Sequence, residues 1–510
     1  MSKKSLIRFT GIIGFATATS RALGFVRDIV IARFFGTAIY AQAFVIAFRI
    51  PNLLRDLVGE GATNSAFVPV LTDELTRKGR KDFFKLAQVI LNIMFWVLCV
   101  LTLLGILLSP LIVRLIAPGF AADIEKFEVT VRLTRILFPF LILVGLWAYA
   151  MGVLNSLGIF AAPAFGPSVM NLSMIICASA FGENVFGLAA GVLAGGFLQL
   201  AIQIKPLVRS GWRARLTREF THPQARRVGM LLVPRALGAC VYQVNVFIST
   251  ILASLSSIVG EGAVAALYYA NRVWQLPLAI FGIALAQAAL PMMSRHVALN
   301  EKEDLKKMLA FSLKVLFFIL VPATVGLMVL CEPITQVLFQ RGAFTAYSTR
   351  ITATALFYYA VGLIACGGIK ILVNTFYSMH DTMTPVKTAL AALVLNIVLN
   401  VVLMFPMKLG GLALATSVAA FLNFLILYVI LARRIGDFGT ASIADTFFRV
   451  LLASLVMGTV LRLLIVRMPD FTFVSIGILI AAGITVFLGS SYLFGVNELK
   501  EFFAWISRRK

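Results

Sequence analysis

The sequence predicts an all-α integral membrane protein of about fourteen transmembrane helices, and three observations carry that expectation. Runs of about 20 apolar residues, the length a helix needs to cross the hydrocarbon core, recur along the whole 510-residue chain. Hydrophobic residues make up 60% of the chain and charged residues 13%, where a soluble domain runs nearer ~45–50% and ~25%. The loops between the runs alternate between strongly basic and nearly uncharged, as a chain threaded repeatedly through a membrane requires.

The predicted spans are 10–34, 39–58, 87–109, 133–155, 164–181, 185–204, 229–252, 264–290, 309–330, 350–374, 386–405, 410–432, 448–467 and 472–494. The first has a basic start and a small-residue stretch, Ala16-Thr17-Ala18, like a secretory signal. It continues through Arg21, Gly24 and Arg27-Asp28 into Ile29–Ala32, so it reads as a retained helix. One set of loops holds Arg77/Lys78/Arg80/Lys81, the stretch Lys205 to Arg227, Arg295 with Lys302/Lys306/Lys307, and Arg433/Arg434. The head Lys3/Lys4 and the tail Arg508/Arg509/Lys510 belong with it. The opposite loops, near 36, 120, 183, 260, 343, 408 and 470, are short and almost uncharged. The positive-inside rule then puts both termini in the cytoplasm of a multi-pass inner-membrane protein.

A faint repeat divides the chain. Arg21-Ala22-Leu23-Gly24 recurs as Arg235-Ala236-Leu237-Gly238 at an offset of 214, and Val144-Gly145-Leu146 as Val361-Gly362-Leu363 at 217. Pro110 with Gly119 and Phe120 recurs as Pro333 with Gly342 and Phe344, at an offset near 223. Similar offsets in one order predict two pseudo-symmetric six-helix lobes, a transporter architecture. The expected organisation is an N-lobe at 1–204, a basic cytoplasmic linker at 205–227, a C-lobe at 228–434, and two further helices with a tail at 435–510.

Composition also excludes functions. The net charge of +23 sits mainly in short loops, where it reads as topology signal and contact with anionic membrane lipids, not as a nucleic-acid surface. Cys99, Cys177, Cys240, Cys331 and Cys366 lie singly in apolar stretches, without disulfide or metal spacing. His222, His296 and His380 fall in separate loops, and no HExxH, nucleophile elbow or phosphate-binding P-loop is present. The expectation is a non-enzyme without cofactor, driven by a gradient, the membrane potential or downstream consumption.

The informative residues are charges inside spans. The first span carries Arg21, Arg27 and Asp28; the second carries Arg49, Asn52, Arg55 and Asp56, with Glu60 just after; the eighth carries Asn271-Arg272. Each charge at the bilayer centre costs about 2.5–3.5 kcal/mol, so four arginines facing lipid would cost on the order of 10 kcal/mol. Arg33 and Arg49 lie near span ends, where they are expected to snorkel. Arg21 and Asp28 are seven residues apart, within about 20° of one helical face, so one pairing on the helix is open to them. Structural pairing then runs short of acids, because Arg21, Arg27, Arg55 and Arg272 outnumber Asp28 and Asp56. A surplus of guanidinium forks in a wet cavity is a receptor for an anion, phosphate above all. Pro51, Pro69, Pro277 and Pro291 punctuate the second and eighth spans at related places, which suits rocking of kinked helices. Gly191, Gly195 and Gly196 read as close helix packing.

These residues also carry a resemblance. Ser20-Arg21-Ala22-Leu23-Gly24-Phe25-Val26-Arg27-Asp28, Ile50-Pro51-Asn52-Leu53-Leu54-Arg55 and Gly59-Glu60-Gly61-Ala62 resemble the N-terminal signature of the MurJ family of lipid II flippases. Tyr269-Ala270-Asn271-Arg272 with Leu276-Pro277, Gln340-Arg341-Gly342-Ala343-Phe344, Phe376-Tyr377-Ser378 and Asp381-Thr382-Met383-Thr384-Pro385-Val386-Lys387 continue it in order. The family belongs to the multidrug/oligosaccharidyl-lipid/polysaccharide exporter superfamily.

The resemblance implies a central cavity for the diphosphate and sugars of lipid II, and a groove from the last two helices for its undecaprenyl tail. It implies substrate binding by Arg21, Arg27, Asp28, Asn52, Arg55 and Arg272, with Ser20, Glu60, Asn271, Pro51 and Pro277 gating or supporting. Lipid II, membrane lipids and the cell-wall synthesis machinery are the implied partners. Gln42 and Asn271 stand where some relatives carry aspartate, which leaves anion binding intact and removes proton carriers. The positions matched to a sodium site of some relatives are Ser249, Asn396, Asn400 and Thr416, all neutral, so weak or absent sodium coupling is expected. Three competing readings remain: a flippase for another undecaprenyl-diphosphate glycan such as an O-antigen unit, a cation-coupled drug exporter, and a glycosyltransferase using the same lipid. The exporter would want acidic cavity residues, and the enzyme would want loop carboxylates where the basic loop offers only Glu219.

Overall fold

The computed structural model describes residues 3–55, 67–213, 219–468, 470–496 and 498, without the side chains of 3–10, 54–55 and 232–242. All regular structure among the described residues is helical. The chain forms two compact units, Met1–Leu255 with Arg341–Phe344, and Ser256–Gln340 with Thr345–Lys510.

The first unit contains α1 (Lys3–Phe35), α2 (Ile39–Arg55), α3 (Val68–Lys78), α4 (Arg80–Leu107), α5 (Ser109–Ile116), α6 (Ile124–Leu137), α7 (Phe140–Ser156), α8 (Ala161–Phe181), α9 (Val185–Arg209) and α10 (Pro223–Ala253). Polar residues start several of them by accepting a hydrogen bond from an otherwise orphaned backbone N–H. Asp123 accepts from Lys126 N at α6, Asn184 from Phe186 N at α9, and His222 from Gln224 N at α10. Helix α8 packs on both α1 and α9. Small residues allow the second contact: a Cβ on Gly195 would lie 3.0 Å from Met170 Cα, and one on Gly191 2.7 Å from Cys177 Cβ. The glycine stripe is therefore a packing device, as expected. Helix α1 ends at Gly36, whose φ of +54° suits glycine and whose Cβ would meet Ala343 O at 2.3 Å.

The basic linker is strapped to α4. Trp212 Nε1 donates to Tyr149 Oη at 3.1 Å, and that hydroxyl donates to Ala87 O at 2.9 Å. Gln88 Nε2 reaches Arg213 O at 3.2 Å and Asn92 Nδ2 reaches Glu219 O at 3.4 Å.

The second unit contains α11 (Ser256–Val259), α12 (Ala263–Pro277), α13 (Ala284–Ala298), α14 (Lys302–Phe339), α15 (Ala346–Val361), α16 (Leu363–Ser378), α17 (Met383–Ile435), α18 (Thr440–Val466) and α19 (Phe473–Leu493). Its core follows the stripe Leu309, Leu313, Leu316, Leu320 of α14, all fully buried at helical spacing. Helix α14 packs on α15, α16 and α18. Pro277 ends α12 and a π-helix, Leu278–Ile283, follows it; a missing N–H donor has this effect. Pro291 lies inside α13 and Pro51 inside α2. Pro69 differs from expectation: it opens α3 in its first turn, where proline is favoured, instead of kinking the second span.

Each of the fourteen predicted runs falls on a helix. Among the described residues nine helices are long and apolar enough to cross a membrane, and ten if α15 and α16, bent by 42°, form one span. The figure of fourteen further requires counting α17 twice and including α1, α2 and α10. Lys408, at φ 51° and ψ −131°, does break α17 into two helices. The repeat assigns α10 to the second half of the sequence, whereas α10 packs within the first compact unit.

Candidate functional site

Helical geometry sets the site in the first unit. Ser20, Gly24 and Arg27 are spaced i, i+4, i+7 and share one face of α1, the face that meets Asn171 of α8. Side chains on a helix lean toward its N-terminus, so the long Arg27 side chain runs back along this face. Its Nη1 donates to Asn171 Oδ1 at 2.9 Å, while Asn171 Nδ2 donates to Ser20 O at 3.0 Å. Arg27 Nε and Nη2 both donate to Asp28 Oδ1, at 3.0 and 2.7 Å. Arg27 is 7% exposed and Asp28 1%, so this is a charge pair taken out of water whose desolvation is offset by directed hydrogen bonds.

Arg21 lies about 100° around α1 from Ser20 and is exposed, with no hydrogen bond or ion pair among the described residues. Asp28 thus pairs with its neighbour Arg27, not with Arg21 one face along, because the fork of Arg27 reaches it directly. Arg49, expected to snorkel, is half-buried with Nη1 on Val246 O of α10 at 3.3 Å. Asn52 is half-buried just beyond the buried Pro51. Asp56, Glu60 and the side chain of Arg55 lie outside the described residues.

In the second unit Arg272 also leans back one turn. Its Cζ sits 4.9 Å from the centre of the Tyr268 ring and Nη2 donates to Tyr268 Oη at 3.3 Å. Asn271 Oδ1 accepts from Gln275 Nε2 at 3.1 Å. On α17, Asn400 Nδ2 donates to Asn396 Oδ1 at 2.7 Å and Asn396 Nδ2 approaches Thr416 Oγ1 at 3.5 Å. Both asparagines are buried, at 1% and 0% exposure, and Asn400 Oδ1 has no hydrogen-bond partner among the described residues. Ser249 is half-buried on α10, in the first unit.

Sequence reasoning passed over Asn171, Tyr268 and Lys370. Asn171 and Tyr268 hold the two arginines, and Lys370 is an exposed charge on α16 with no ion-pair partner among the described residues. The signal for Asn171 and Lys370 was the one used for the arginines, a polar residue inside an apolar run.

Two helical units, with nine helices among the described residues long and apolar enough to cross a membrane, define a polytopic membrane protein with a transporter fold. An inward-facing multidrug resistance MATE family transporter of the MOP superfamily shares that fold at a TM-score of 0.68 and 14% identity, covering 83% of this chain and 96% of its own. A solved structure described as lipid II flippase MurJ in an inward closed conformation matches at a TM-score of 0.81 and 27% identity, over 94% of this chain and 98% of its own. The family model for lipid II flippase MurJ matches residues 31–482. A probable lipid II flippase MurJ of Rhizobium tropici is 35% identical over 465 residues, 90% of this chain and 86% of the relative. A lipid II flippase MurJ of Burkholderia cenocepacia is 35% identical over 426 residues, 82% of each chain. The chain belongs to the lipid II flippase MurJ family.

Proposed function

We propose that this protein flips lipid II, the undecaprenyl-diphosphate-linked peptidoglycan precursor, from the cytoplasmic to the periplasmic leaflet by alternating access. Family membership supports the substrate, and the guanidinium of Arg21 on α1, exposed and without a hydrogen bond or ion pair among the described residues, is the observation that carries the site. A diphosphate head cannot cross hydrocarbon unaided, while the polyprenyl tail never needs to leave it. Arg21 offers a bidentate fork to phosphate oxygens. Arg27, Asp28, Asn52, Arg55 and Arg272, which rests on Tyr268, are also assigned to substrate binding. Ser20, Glu60, Asn271, Pro51 and Pro277 are assigned to gating or support. No residue is assigned a catalytic role.

Both termini are assigned to the cytoplasm on the basic loops. In a cysteine-free background, cysteines near Gly260 and Asp470 should react with an impermeant thiol reagent from outside, and one near Arg80 should not. The reverse pattern would overturn the orientation. The function itself is tested by depleting the protein in its bacterial host and assaying lipid II by leaflet. Accumulation in the cytoplasmic leaflet is expected, and an unchanged distribution would overturn the reading.

A further inference from the structure

The motif Ser20–Asp28 leaves one question open on its own helix: what holds Arg27 where it is, so far from solvent. Asp28 accepts from Nε and Nη2, both on a single oxygen, and cannot by itself fix the direction of the guanidinium plane. A further constraint comes from 144 residues away. Asn171 Oδ1 takes the Nη1 proton at 2.9 Å, and the same amide gives a proton to the Ser20 carbonyl at 3.0 Å. Gly24 lies between these two contacts on the same face, and a Cβ there would stand 3.4 Å from Asn171 Nδ2. Asn171 thus lies against this face of α1, within van der Waals reach of position 24.

We propose that Asn171 is a positioning residue for substrate transport, acting through Arg27 and fixing α1 at Ser20. This rests on the assignment of Arg27 to the substrate site. The chemistry selects the side chain narrowly. A carboxamide accepts from a guanidinium and donates to a carbonyl at once. Aspartate at 171 would accept from Arg27 but leave the Ser20 carbonyl without its donor, and would place a second negative charge against one arginine. Leucine would fill the space and satisfy neither group. Glutamine keeps both functions on a stem one methylene longer. Because Arg21 points elsewhere from α1, Asn171 acts on Arg27 and not on Arg21.

The test uses the full-length protein in two assays: apparent affinity for undecaprenyl diphosphate in detergent, and lipid II transport in cells. Asn171→Leu should weaken affinity about tenfold, the scale of a lost hydrogen bond to a charged group. Asn171→Asp should weaken it at least as much, although it is nearly isosteric. Asn171→Gln should recover part of the loss. The deciding measurement is a pair of double-mutant cycles. Asn171→Leu should add little further loss to Arg27→Lys, and should combine with Arg21→Lys as an independent, multiplicative loss. Equal additivity with both arginines would overturn the proposal, as would wild-type affinity and transport in Asn171→Leu. If Asn171→Leu fails to reach the membrane, the Asn171→Asp and Asn171→Gln cycles give the same comparison. Wild-type transport by Arg27→Ala would instead overturn the assignment of Arg27 itself, so the two failures are distinguishable.

Discussion

The first unit buries a full charge pair between α1 and α8, while the second buries a chain of neutral amides and hydroxyls on α17. Arg27 donates to Asp28 at 2.7 and 3.0 Å and to Asn171 at 2.9 Å. Asn396 and Asn400 hold each other at 2.7 Å, and Thr416 donates to Leu412 O at 3.1 Å. A buried ion pair carries a large desolvation cost and is intolerant of losing one member. A neutral amide chain carries neither the cost nor the field. The contrast separates two kinds of polar core: one built on a buried ion pair at a helix–helix contact, and one of neutral groups that links the two halves of the kinked α17. It also separates two arginines on one helix, since Arg27 is buried on Asp28 and Asn171 while Arg21 is exposed with no hydrogen bond or ion pair among the described residues.

The contrast can be broken most severely at the arginines. Alanine at Arg21, Arg27, Arg55 or Arg272 is expected to abolish lipid II transport with the protein still in the membrane, and lysine to restore it only in part for lack of a fork. A leaflet assay in complemented cells checks this, and full activity in two or more alanine variants would remove the anion site. Next in size is stability. Asp28→Ala leaves Arg27 buried without its counter-charge and should destabilise by about 3–5 kcal/mol. Arg21→Ala should change stability by no more than about 0.5 kcal/mol. Denaturation of the two purified variants in parallel measures the difference directly.

A smaller effect is expected from ions. With neutral oxygens only at Ser249, Asn396, Asn400 and Thr416, transport in vesicles should depend weakly on a sodium gradient at fixed potential. It should respond to potential at fixed sodium, where each transferred charge is worth about 2.3 kcal/mol per 100 mV. Strong dependence on sodium alone would show that the neutral cluster binds the ion.

The smallest effect is at Asp381, in the short turn before α17. Its carboxylate accepts from Thr384 N and Oγ1 and pairs with Arg434, which holds its pKa down to about 2. A depressed pKa gives stability that is present above the unfolded value of about 3.9 and lost as pH falls from there toward the folded one. Asp381→Asn should therefore lower the melting temperature by a few degrees at neutral pH and by progressively less below about pH 4.

Much of this was legible in residue order. Apolar runs of the right length located the long helices, because a membrane leaves the backbone no other solution at those lengths, and missed the short α3, α5 and α11. The arginine motif was visible because charge inside such runs is expensive. What a one-dimensional reading could not supply was which face of α1 meets a neighbour. The same seven-residue spacing that made an Arg21–Asp28 pair conceivable places Ser20 and Arg27 against α8, and only the position of Asn171 decides between them. Tyr268 was passed over in the same way, although it lies one turn before Arg272, where an arginine side chain leans. Pro69 was misread because it marks the first turn of a separate helix, α3, a boundary that hydropathy does not mark.

The central claim meets its most direct test in liposomes containing only the purified protein and a labelled lipid substrate. Lipid II placed in one leaflet should become accessible in the other with the wild-type protein and remain where it was with Arg21→Ala. An undecaprenyl-diphosphate O-antigen unit should cross far more slowly. Equal transport of both lipids, or of lipid II by the Arg21→Ala protein, would contradict the account.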